Sequence, residues 1–132
     1  MLGSSRVVAM APCVDMDGAK AFYGGVLGLK EGATPGPKDM AGQSALFECG
    51  SGTQLLVYQR PTPTTADHTA AGWIVDDVDA EADELIAKGV KLEVYDIPGM
   101  EFDHRGVATV GASKAAWFKD PEGNILSISD FS

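Results

Sequence analysis

The sequence predicts an α+β fold made of two tandem β-α-β-β-β modules, and three observations predict it. Two acidic helix starts, Asp15-Met16-Asp17 and Asp77-Val78-Asp79, stand at an offset of 62 residues (77 minus 15), which also carries Tyr23 onto Leu85. Phe47 matches Phe118 and Gly52 matches Gly123 at an offset of 71 (118 minus 47), so the strands after each helix repeat as well. An internal repeat of this length is a fold-level signal, because neither half alone buries both faces of its sheet. Finally, Trp117 to Ile128 reads as two β-forming runs joined by Asp120-Pro121-Glu122-Gly123. Pro presets φ, the Asp side chain caps the turn backbone, and Gly accepts a positive φ, which together favour a type I turn in a hairpin.

Each element has its own local reason. Arg6–Ala11 is a short apolar run and reads as the first strand. An Asp in the segment after it caps a helix over Gly18–Leu27, whose apolar residues Ala19, Phe22, Tyr23 and Val26 fall at i, i+3, i+4 and i+7. Gly24-Gly25 weakens that helix and Gly28 ends it. Pro35–Asp39 reads as a loop, Ser44–Cys49 as a strand, Gly50-Ser51-Gly52 as a turn and Thr53–Gln59 as another strand. Pro61-Thr62-Pro63-Thr64-Thr65 reads as a linker. The domain plan is therefore one domain over residues 1–132, with module one at about 6–60, a linker at about 61–67 and module two at about 68–131.

The pattern then recurs. Trp73-Ile74-Val75 is a strand, and residues Ala80–Lys88 place Ala82, Leu85 and Ile86 on one helix face, with Gly89 closing the end. Acidic residues crowd the first turn of that helix, where its dipole favours them. Val90–Tyr95 alternates as a strand, Pro98–Gly111 reads as a long loop, and the final hairpin closes the chain.

Composition narrows the function. At 132 residues and 45% apolar content the chain is one domain by size with a real core. Its net charge of −9 argues against nucleic acid, whose phosphates need Lys and Arg clusters, and suits a cationic ligand or a solvated surface. No apolar run reaches about 18 residues, so no spanning helix and no membrane partner is expected. The first residues, Met1-Leu2-Gly3-Ser4-Ser5-Arg6, lack the pattern of a signal peptide, and a cytoplasmic protein is expected. Cys13 and Cys49 have no zinc or redox spacing and read as buried thiols.

In the last strand Leu126 and Ile128 share one face, while Ile125, Ser127 and Ser129 share the other. Counting by twos along the strands points Val8, Met10, Leu46, Leu56, Tyr58, Ala70, Gly72, Ile74, Trp117, Ser127 and Ser129 to the face away from the helices. That set is apolar and aromatic with small residues between, as in a pocket for a planar or bulky organic molecule. The ligand-binding residues predicted are Met10, Leu46, Leu56, Tyr58, Ala70, Gly72, Trp117 and Ser127. The plainer alternative is that Trp117, Tyr58 and Leu46 simply fill the interior. Trp73 alternates to the opposite face, toward the second helix.

With Asp15 to Leu29 (DMDGAKAFYGGVLGL), Trp73 to Ala80 (WIVDDVDA) and Phe118 to Leu126 (FKDPEGNIL) in order, the chain resembles the vicinal oxygen chelate superfamily. That group contains glyoxalase I, bleomycin-resistance proteins and extradiol dioxygenases. The resemblance spans nearly the whole chain and implies two modules whose mixed sheets curl around one cavity, within a homodimer. It says little of activity, because one fold hosts unlike chemistries. Metal-using relatives carry His, Gln or Glu at four inward positions, which fall here on Val8, Leu56, Ala70 and Ser127. Three of these offer no donor atom, and a lone hydroxyl holds no divalent ion, so neither metal nor other cofactor is expected.

Three readings stay open. The first is a metal-free small-molecule-binding protein of the bleomycin-resistance type, taking an apolar, aromatic or cationic ligand that Asp96, Glu101 and Asp103 draw in. The second is a metal-independent lyase, isomerase or cyclase of a biosynthetic pathway; the catalytic residue is unassigned, with His104, Tyr58 and Glu48 as weak candidates. The third is a metal-dependent glyoxalase or dioxygenase with displaced ligands, in which His68 joins Glu48 or Glu101.

Overall fold

A computed structural model describes residues 1–33 and 42–131, and the chain divides into two compact units, Met1–Thr65 and Ala66–Ser132. Unit 1 runs β1 (Ala9–Cys13), α1 (Met16–Lys20), β2 (Lys30–Glu31), β3 (Ser44–Glu48) and β4 (Gln54–Gln59). Its sheet has the order β1-β4-β3-β2, with β1 parallel to β4 and the other pairs antiparallel. Unit 2 runs β5 (Thr69–Ile74), α2 (Val78–Ala87), β6 (Leu92–Glu93), β7 (Glu101–Phe102), β8 (Ala108–Val110), β9 (Ser113–Lys119) and β10 (Ile125–Ser129). There the order is β5-β10-β9-β8-β7, with β6 pairing a different stretch of β9.

The repeat read from the sequence is visible in the strand register. Phe47 faces Leu55 across β3 and β4, and Phe118 faces Leu126 across β9 and β10, each residue displaced by the same 71 positions. The parallel pairs agree, with Ala9 opposite Leu55 and Ala71 opposite Leu126. Asp15 and Asp77 each cap a helix, accepting from the N–H of Gly18 at 3.1 Å and of Ala80 at 3.0 Å. The mixed α+β class with two sheets is thus built from one plan used twice.

Each unit buries one face of its sheet under its helix. In unit 1, Ala11, Cys13, Ala45, Phe47, Leu55 and Val57 meet Ala19 and Tyr23, with the Tyr23 and Phe47 rings 5.7 Å apart. In unit 2, Val78, Ala82 and Leu85 of α2 are buried, as are Leu92, Ala116, Phe118, Leu126 and Ile128 of the sheet. Burying a Leu or Phe of this kind contributes about 1.5–3 kcal/mol, so these faces dominate each unit's stability.

Several expected boundaries move. The first strand begins at Ala9 and extends to Cys13, beyond Ala11, because Cys13 C=O accepts from Arg60 N–H and prolongs the ladder. The first helix starts earlier, under its Asp15 cap, and from Ala21 to Val26 widens into a π-turn, with Leu27 N–H donating to Phe22 C=O at 2.9 Å. A π-turn accommodates an extra residue in a helix, and Gly24-Gly25 sits inside it. Ile86 is 39% exposed and lies at the margin of the α2 face, not within it. The strand expected over Val90–Tyr95 shortens to Leu92–Glu93, and the loop expected over Pro98–Gly111 contains the β7–β8 hairpin. The loop expected at Pro35–Asp39 lies outside the described residues.

The closing turn behaves as its residues demand. Gly123 has φ 91° and donates its N–H to Asp120 C=O, while the Asp120 carboxylate accepts from the N–H of Glu122 and of Asn124.

Candidate functional site

Alternation along the strands creates a second face in each sheet, opposite the helix. In unit 1 this face carries the row Met10, Leu56 and Leu46, in register across β1, β4 and β3. Met10 is 56% exposed, while Leu46, Leu56 and Tyr58 are half-buried. Tyr58 faces Ser44 and Pro12 from the same strand. In unit 2 the corresponding row is Gly72, Ser127, Trp117 and Glu93, across β5, β10, β9 and β6. A Cβ on Gly72 would collide with the Ser127 hydroxyl, so the smallness of residue 72 is what lets the two strands carry Ser127 there.

Val8 lies just before β1 and Ala70 lies on β5; both are half-buried. Leu56 and Ser127 occupy equivalent places in their units, opposite Leu46 and Trp117 respectively. The donors at these four positions amount to one hydroxyl, a set that does not fit a divalent metal. Among the described residues, no three His, Cys, Asp or Glu side chains converge. Glu48 accepts from Gln54 Nε2 at both carboxylate oxygens, at 3.2 and 3.3 Å.

Trp117 is the centre of an aromatic cluster that sequence counting met only in part. The Tyr95 ring stands edge-on to it, with centroids 5.9 Å apart, and the Phe102 ring is tilted against it at 6.2 Å. Beside Trp117 lies a cleft of about 280 Å³, lined by Asp67, His68, Thr69, Tyr95, Ile97, Trp117 and Ile125. His68, the displaced ligand of the third reading, is exposed on this lining, with Nδ1 3.3 Å from the Thr69 carbonyl oxygen. Tyr95 was legible in principle, since it is two residues beyond Glu93 and so shares its face. Phe102 was hidden inside the stretch read as a loop.

Among the described residues, Tyr95 Oη is the buried side-chain polar atom with no hydrogen-bond partner. Burial pushes the phenol pKa up and the nearby Glu93 charge pushes it further, so the group stays protonated and remains a donor. Leaving such a hydroxyl unpaired costs about 1–3 kcal/mol.

His104 lies elsewhere in unit 2, exposed in the turn between β7 and β8, and is not part of the cleft lining. Its neighbours are committed to an ion cluster. Arg105, 19% exposed at the side chain, donates to Asp83 and Asp103, each at 2.8 Å, and to Asp79. Lys114 also pairs with Asp79. Asp103 further accepts from the N–H of Arg105, Gly106 and Val107 at 2.9–3.0 Å. Burial alone would raise the Asp103 pKa, but the Arg105 side chain and the Val107 and Arg105 N–H groups outweigh it and hold the value at about 2. Three carboxylates, Asp79, Asp83 and Asp103, thus share two cations, Arg105 and Lys114, and Asp96 and Glu101 are the other exposed acidic residues of the set expected to draw in a cation.

Comparison with known proteins follows the same outline. The family model for the glyoxalase/bleomycin resistance protein/dioxygenase superfamily matches residues 7–128. A glyoxalase family protein from Bacillus anthracis is similar over 98% of this chain and 98% of its own, at 21% identity and a TM-score of 0.65. The structure of UcmS2 is similar over 96% of this chain and 98% of its own, at 17% identity and a TM-score of 0.72. The fosfomycin resistance protein FosX from Listeria monocytogenes, complexed with Mn(II) and sulfate, is similar over 98% of this chain and 93% of its own, at 14% identity and 0.65. Among curated protein sequences none matches.

Proposed function

Because the chain belongs to the glyoxalase/bleomycin resistance protein/dioxygenase superfamily, we propose that it is a small-molecule-binding member that works without the superfamily's metal, in the manner of a bleomycin-resistance protein. The observation that carries this reading is the cleft beside Trp117, walled by Tyr95 and Ile97 and edged by His68 and Asp67. Its surface is aromatic and apolar with few polar groups, which suits a planar organic ligand, neutral or cationic. Val8, Leu56, Ala70 and Ser127, the positions assigned to metal ligands by resemblance, supply no donor set that would hold an ion.

The rest of the unit 1 and unit 2 rows, Met10, Leu46, Leu56, Tyr58, Ala70, Gly72 and Ser127, are proposed as further ligand-facing positions. A homodimer in the cytoplasm is part of the same proposal and rests on the family. No helix among the described residues is long and apolar enough to cross a membrane.

Thermal-shift screening of the purified protein tests this, run with and without EDTA against bleomycin, fosfomycin and a panel of aromatic metabolites. A compound at one hundred times its Kd adds about 2.7 kcal/mol, enough to read directly. Binding that is unaffected by EDTA, with the ligand recovered unchanged, supports sequestration. Turnover of the hit without metal would move the assignment to a lyase, isomerase or cyclase. Stoichiometric zinc, iron or manganese whose removal abolishes binding would overturn the reading.

A further inference from the structure

We propose that Arg105 is a positioning residue for the cleft beside Trp117: by tying the β7–β8 hairpin to α2 it makes Phe102 set the orientation of the Trp117 ring. The inference rests on the reading of that cleft as the ligand site.

Among the described residues, the sheet of unit 1 ends with β2 beside β3, and that of unit 2 continues past β9 into β8 and β7. β7 is an edge strand of two residues, and so short a strand has little ladder to hold it. Its apolar anchor is Phe102, half-buried against Trp117. Three residues further on, the Arg105 guanidinium reaches α2 at Asp79 and Asp83 and closes back on Asp103 in the hairpin's own turn. Lys114, on β9, shares Asp79, so one carboxylate joins the hairpin, the helix and the central strand. The planar fork of Arg serves several carboxylates at fixed angles in a way the Lys ammonium does not.

Trp117 is held from two sides, by Tyr95 edge-on and by Phe102 tilted. The Tyr95 side faces the cleft. The Phe102 side depends on the hairpin, and the hairpin depends on Arg105. Arg105 is 19% exposed at its side chain, and what it fastens is a short edge hairpin. The consequence of losing it is expected first at Trp117.

The test uses the indole N–H resonances of Trp73 and Trp117, assigned with Trp73→Phe, and p-cresol as a neutral aromatic probe. In Arg105→Gln the Trp117 resonance is expected to shift or broaden while that of Trp73 stays, and p-cresol affinity is expected to fall three- to tenfold. Phe102→Ala should reproduce both effects without touching the ion cluster, and Arg105→Lys should restore them in part. An unmoved Trp117 resonance in a folded Arg105→Gln protein would overturn the proposal. Equal movement of Trp73 and Trp117 would also overturn it, since that marks general loosening. If p-cresol does not bind the wild type, the small-molecule reading loses support, while the resonances still decide whether Arg105 positions Trp117.

Discussion

Asp120 and Asn124 are bound to each other three times over. The Asp120 carboxylate accepts from the Asn124 N–H at 2.9 Å and from its side-chain amide at 2.7 Å, and Asp120 N–H donates to Asn124 C=O at 3.0 Å. Both residues are buried. The last hairpin is therefore closed from inside by a charged acceptor, not only by its turn propensity.

Asp120→Ala leaves those donors without a partner. Each hydrogen bond to a charged group contributes about 1.5–3 kcal/mol, and the losses overlap, so a destabilisation of about 2–4 kcal/mol is expected. Urea unfolding with an unchanged m-value would show it. Asp120→Asn, which keeps one acceptor oxygen, should lose less.

Gly72→Ala places a methyl group against the Ser127 hydroxyl. Overpacking at a tight contact costs about 1–3 kcal/mol. Combining it with Ser127→Ala should recover at least half of that loss, a coupling that a double-mutant cycle by urea unfolding measures directly.

Tyr95→Phe removes the unpartnered hydroxyl without changing the ring that meets Trp117. Stability should rise by about 1 kcal/mol, because an unsatisfied buried polar group disappears. Calorimetry that shows a lower Tm would mean the hydroxyl has a partner in solution.

Acid should erode the stability that the ion cluster contributes. Asp103 has a folded pKa of about 2 against about 3.9 in an unfolded chain. Its contribution is present above about pH 4 and is lost as pH falls toward 2, since the unfolded state binds protons first. Asp79, with a pKa lowered by Lys114 and then Arg105, acts in the same direction. Asp103→Asn should flatten the fall in urea stability between pH 5 and pH 3.

Much of the fold was legible because the chain states it twice. Asp15 and Asp77, Phe47 and Phe118, and the Gly52 and Gly123 turns are local signals, and each recurs at a constant offset. The face pattern of β4 and β10 followed from alternation alone. What the sequence concealed was non-local. Phe102 sits in a two-residue strand flanked by Gly99 and Gly106, too short for any periodicity, and reaches Trp117 only because β7 pairs β8 and β8 pairs β9. Ser129, counted as facing away from the helix, is buried, as is Ala115 opposite it on β9, so that end of the face is covered. Asp103 reads as free acidity in a sequence; that Arg105, two positions on, ties it to Asp79 and Asp83 on a helix more than twenty positions away is a non-local fact.

Pro12 sits on β1, the outermost strand of the first sheet. Cys13 turns its carbonyl inward to Arg60, so the ring nitrogen of Pro12 falls on the outer rim, where a further strand would look for a donor and find none. That rim is poorly suited to being extended by another chain's backbone, and self-association along it must rest on side chains.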